Sequence, residues 1–98
     1  MNPRSIVLEA LTKVHNADNY TITWHDDGSV YIEHQTPEDH GCGMLDMHVS
    51  QVSWGYLEIG HTYPEPGMDG WYGVQRDEYL PEDRVDAVAA VRDWIAAY

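Results

Sequence analysis

The feature that most constrains the fold is an alternation that reverses around a polar turn. Tyr20-Thr21-Ile22-Thr23-Trp24-His25 leads into Asp26-Asp27-Gly28, and Ser29-Val30-Tyr31-Ile32-Glu33-His34 leads out. Period-2 alternation on both sides of an Asp-Gly turn specifies a β-hairpin. Its register follows from the pleat. A two-residue turn at Asp27-Gly28 would place Tyr20, Ile22 and Trp24 on the face of Tyr31 and Glu33. A three-residue loop, with Gly28 left-handed, places them with Val30, Ile32 and His34. The second register gathers the apolar residues, because a one-residue slip flips every side chain. It is therefore expected, with Thr21, Thr23, His25, Tyr31, Glu33 and Gln35 on the other face.

Helices flank this sheet region. Asn2 is a suitable N-cap and Pro3 suits the first helical position. Ile6, Val7, Ala10, Leu11 and Val14 then recur at helical spacing, until the turn cluster Asn16-Ala17-Asp18-Asn19. A second helix is expected over residues 81–97. Pro81 would stand at its first position and Val85, Val88, Val91 and Ile95 would form its apolar stripe. Trp94 and Tyr98 flank that stripe and are placed to cover a sheet edge.

Between the hairpin and this helix, strands are expected at 44–51, at 53–61 and, shorter, at 71–75. In the third strand Leu45, Met47 and Val49 share a face opposite Met44, Asp46 and His48. In the fourth, Leu57 and Ile59 oppose Trp54, Tyr56 and Glu58. Residues 36–43 and 63–70 read as loops, the latter for its two Pro and two Gly. The fold class expected is α+β in a single compact domain: a four- to five-stranded antiparallel sheet with both terminal helices on one face.

Charge narrows the partners. The 98 residues hold 17 Asp and Glu against 5 Lys and Arg, a formal net charge of −12. Direct binding to nucleic acid or to an anionic membrane needs clustered basic residues and is not expected. The imbalance is also polarised. From Val14 to Gln75 there is no Lys or Arg, while ten acids fall there, including Asp26, Asp27, Glu33, Glu38, Asp39, Asp46 and Glu58. All five basic residues are expected on or beside the terminal helices. A single cysteine excludes an internal disulfide and fits a reducing compartment. The N-terminus lacks the apolar block of a secretory signal, and no apolar run reaches membrane-spanning length. A cytoplasmic protein, monomeric or paired through an edge strand, is expected.

Candidate chemistry is sparse. There is no phosphate-binding Gly loop, nucleophile elbow or EF-hand pattern. Cys42 with His40 or His48 could form a nucleophile pair, but no catalytic setting surrounds it, and an enzyme is not expected. His40, Cys42, Asp46 and His48 are metal-ligand types close in sequence, so a small metal site is one alternative. Tyr63, Met68, Trp71 and Tyr72, set among Pro and Gly, are a second possible binding element. The leading expectation is a non-enzymatic, cofactor-free protein that docks a basic partner. Asp26, Asp27, Glu33, Glu38, Asp39, Asp46 and Glu58 would steer the docking, with Tyr31, Trp54 and Tyr56 as anchors.

Two resemblances fit that expectation. Asp77-Glu78-Tyr79-Leu80-Pro81-Glu82, followed by the apolar stripe, resembles the close of small immunity proteins of bacterial toxin systems. This implies neutralisation of a basic toxin as an alternative. The small, acidic, motif-poor α+β profile resembles phage-encoded inhibitors of host and defence proteins. It implies mimicry of nucleic acid toward a basic groove.

Overall fold

The computed structural model describes residues 2–52, 57–67 and 70–98, with 63–67 and 70–74 described as backbone. Helix α1 (Pro3–Leu11) is followed by a 3-10 turn at Ala17–Asn19. Five strands come next: β1 (Tyr20–Trp24), β2 (Val30–His34), β3 (Asp46–Gln51), β4 (Leu57–Gly67) and β5 (Gly70–Tyr79). A 3-10 turn at Pro37–His40 separates β2 from β3, and helix α2 (Arg84–Ala97) closes the fold. The strands form one antiparallel sheet in sequential order, β1-β2-β3-β4-β5. With both helices this is the α+β architecture expected. No helix among the described residues is long and apolar enough to cross a membrane.

The hairpin has the register that gathers its apolar residues. Tyr20 pairs with His34, Ile22 with Ile32 and Trp24 with Val30. The His25 N–H donates to the Ser29 carbonyl, the Gly28 N–H donates to the His25 carbonyl, and Gly28 takes φ +91°. Only glycine reaches that conformation at little cost, which is why the loop closes on three residues.

Helix α1 starts as its sequence indicates: the Asn2 side chain accepts the Ser5 N–H at 2.8 Å, with Pro3 at the first helical position. Helix α2 starts later than expected. Leu80 N–H still donates to the Leu57 carbonyl at 2.8 Å, so the chain leaves the sheet only after Leu80. Asp83 then caps the helix by accepting the Asp86 N–H, and Pro81 stands outside it. The later start turns Val85 outward, 75% exposed, while Ala87, Val88, Val91, Trp94 and Ile95 are buried.

The core lies between helices and sheet. Ile6, Val7 and Ala10 of α1 and Val88, Val91 and Ile95 of α2 meet Val30, Ile32, Met47, Val49, Leu57 and Ile59 from one sheet face. Burial of these side chains is the main stabilising contribution, at roughly 1.5–3 kcal/mol for each large one. Trp94 covers the edge strand β1, its ring 5.6 Å from that of Tyr20. The Tyr20 hydroxyl donates to the Ile95 carbonyl at 2.8 Å. His34 closes the same end. Its Nδ1 accepts the Thr36 N–H, so Nε2 carries the proton and donates to the Tyr98 carbonyl.

The largest departure from expectation is at 63–67 and 70. Instead of a loop, β4 and β5 continue as a two-stranded ribbon, paired as far as Gly67 with Gly70. Pro64 and Pro66 are compatible with it for a geometric reason. The Leu57 carbonyl faces β5, so odd-numbered β4 residues bond toward β5 and even-numbered ones away from it. The two prolines lie on the even side, beyond Thr62, the last residue that pairs with β3. No ladder donor is lost there.

Candidate functional site

The sheet face away from the helices is ordered in rows by the strand register. One row runs Thr21, Glu33, Asp46, Thr62, Gln75, and the next runs Thr23, Tyr31, His48, Gly60, Asp77. A third holds Ser50, Glu58 and Tyr79. These positions carry Glu33, Asp46, Glu58 and Asp77, and no Lys or Arg. Arg76 lies within β5, which corrects its expected place beside the helices. It shares the opposite face with Glu78, to which its guanidinium pairs at 3.5 Å. Arg4 reaches the hairpin end from α1, where it contacts the His25 carbonyl.

An open depression of about 360 Å³ sits in the middle of this face. His25, Tyr31, Asp46, His48, Gly60, Gln75 and Asp77 line it. Gly60 accounts for its position. It stands in β4 between His48 and Asp77, and a missing side chain there leaves a hollow in the pleated surface. The Asp77 carboxylate leans over it: a β-carbon on Gly60 would lie 2.9 Å from Asp77 Oδ1.

The acidic groups have unequal surroundings. Asp46, only 9% exposed, accepts a 2.5 Å hydrogen bond from the Tyr31 hydroxyl. Glu33 stands directly across from it on β2. Burial, and then the Asp46 and Glu33 carboxylates, push the Tyr31 phenol well above its ordinary range. Tyr31 therefore remains a protonated donor to Asp46. Asp27 is fully exposed. The Ser29 hydroxyl and N–H, both donating to its Oδ1, hold its carboxyl below the usual range, and the nearby His25 and His48 add to this. The His25 and His48 rings meet edge to face at 6.0 Å. The hairpin loop thus forms one rim of the depression.

The expected partner residues divide accordingly. Tyr31, Glu33, Asp46 and Glu58 share the open face, Asp27 stands at its rim, and Asp26 belongs to the same loop. Glu38 and Asp39 do not join them. They occupy the 3-10 turn at the other end of β2, where His40 packs against His34 and Tyr98 on the helix side. Trp54 and Tyr56 lie outside the described residues, as do the side chains of Tyr63, Met68, Trp71 and Tyr72. Asp77 and Gln75 are additions. Extending the alternation of 71–75 four residues further would have found Asp77.

The four residues of the metal alternative are split by the sheet. Cys42 is buried in the core, its thiol directed at the Pro37 carbonyl, and His40 is on the helix side. Asp46 and His48 face the opposite way, into the depression. Among the described residues no three His, Cys, Asp or Glu side chains converge to hold a metal ion. The Asp77–Glu82 stretch that resembles the close of immunity proteins comprises the end of β5 and the turn into α2. Compared with protein-family models, curated proteins and solved structures, the chain matches none.

Proposed function

We propose that this chain is a non-enzymatic binding protein of the cytoplasm that covers a basic surface on a protein partner, as an inhibitor that stands in for nucleic acid would. One observation carries the reading: the sheet face left open by the helices holds Glu33, Asp46, Glu58 and Asp77 with no Lys or Arg on the same strand positions. An antiparallel sheet commonly leaves one face to water, but such faces ordinarily mix both signs of charge. A face of one sign steers a basic partner and rejects nucleic acid and anionic lipid. Tyr31 and the exposed Tyr79 supply aromatic contact area on it.

The test is charge reversal at solvent-reachable positions. Asp46 is too buried for lysine and Asp77 lines the depression, so Glu33→Lys with Glu58→Lys makes the informative variant. It should lose the partner while keeping the wild-type fold.

A further inference from the structure

The depression over Gly60 holds more negative charge than its surroundings balance. Asp46 is nine-tenths buried, lines the depression, and has no Lys or Arg paired with it among the described residues. Its hydrogen bond comes from the neutral Tyr31 hydroxyl. A buried carboxylate is costly unless a cation or several donors compensate it. Glu33 across the strand pair adds like charge. Asp77, on the other wall, has no ion pair among the described residues either, and its carboxylate reaches inward over Gly60. The site therefore has its anions in place before any ligand arrives.

We propose that the Gly60 depression seats an arginine guanidinium presented by the partner. The inference rests on the basic-partner reading and names the group that reading leaves open. Geometry selects the cation. Asp46 and Asp77 belong to β3 and β5, two strand spacings apart, and Asp77 lies two residues along from Gln75, the β5 residue in the row of Asp46, so the two are about 12 Å apart at the backbone. Both side chains line the hollow, Asp77 reaching over Gly60 and Asp46 held by the Tyr31 hydroxyl. A planar guanidinium directs N–H groups from several edges, so hydrogen bonds of about 2.9 Å reach both walls. A lysine ammonium is a compact point charge and satisfies one wall at a time. A metal ion needs ligands within about 2–2.6 Å of one point, and the described side chains provide no such set. The Tyr31 and His48 rings beside the hollow suit the flat guanidinium, which stacks on aromatic surfaces.

The probe is N-acetyl-arginine methylamide, titrated into isotope-labelled full-length protein with amide chemical shifts as the readout. N-acetyl-lysine methylamide serves as the comparison. Saturable shifts centred on Gly60, His48 and Asp77 are expected. The lysine compound should bind about tenfold more weakly, or not at all. Gly60→Ala fills the hollow without altering charge, and Asp77→Asn removes one wall's charge without altering shape. Each should weaken arginine binding about tenfold or more. The added methyl of Gly60→Ala meets only the movable Asp77 carboxylate, and Asp77 is exposed, so both variants should keep the fold.

Equal affinity for the two compounds overturns the proposal. So do shifts spread over all the acidic residues, or undiminished binding by Gly60→Ala. Such failure leaves the acidic-face reading standing, because that reading is decided by Glu33→Lys and Glu58→Lys outside the depression and with the whole partner.

Discussion

The Tyr31 hydroxyl donates to Asp46 Oδ2 at 2.5 Å, diagonally across the β2–β3 pair, and so ties the aromatic wall of the depression to its buried carboxylate. Tyr31→Phe leaves that carboxylate buried without its donor. Unsatisfied burial costs more than the net worth of a hydrogen bond, so a loss of about 1–3 kcal/mol is expected in urea unfolding at unchanged slope. In Tyr31→Phe/Asp46→Asn the second change should cost less than in wild type, as a double-mutant cycle would show. Strictly additive losses would mean that the two groups act independently.

Stability should fall at alkaline pH. Burial is the main cause that raises both the Tyr20 and Tyr31 phenols above the ordinary value of 10.0. With folded pKa values raised, the unfolded chain releases these protons first. The contribution is complete below about pH 10 and is lost as pH rises through the folded values. Urea midpoints measured from pH 8 to 11.5 should decline at the upper end. The decline should be shallower in Tyr20→Phe, although that variant also gives up the bond to the Ile95 carbonyl.

The hairpin loop gives two separable effects. Gly28→Ala should cost about 1 kcal/mol, from backbone strain at φ +91° and not from crowding, since nothing lies within 4 Å of the added methyl. Asp27 acts through pH. Its depressed pKa makes its contribution present above the ordinary carboxylate range and lost as pH falls through the lowered value. A carboxyl chemical-shift titration should place Asp27 below a free aspartate, and Ser29→Ala should move it back up.

How much was legible in the sequence depended on whether local chemistry had one solution. Asn2-Pro3 can only begin a helix well, and Asp26-Asp27-Gly28 between alternating strands has one register that buries Ile22 and Ile32. Both are seen. Residues 63–67 and 70 form strand where Pro and Gly density signals a loop, because that signal holds only while bonding parity is unknown. That parity is set by the Leu80–Leu57 pairing, a long-range contact. The same pairing delays α2 to Arg84 and turns Val85 outward, which periodicity alone could not reveal. Of the site, Glu33, Asp46 and Glu58 follow from alternation. Gly60 and Asp77 become meaningful only when register sets His48, Gly60 and Asp77 side by side.

The most direct test compares two baits in parallel, the wild-type chain and Glu33→Lys/Glu58→Lys, with lysate of the source organism. Retained proteins are identified by mass spectrometry across a salt series from about 50 to 500 mM, a range that shortens the screening length severalfold. The account predicts a basic protein on the wild-type bait, lost as salt rises and absent from the variant. A partner held equally by both baits, or one insensitive to salt, would contradict it.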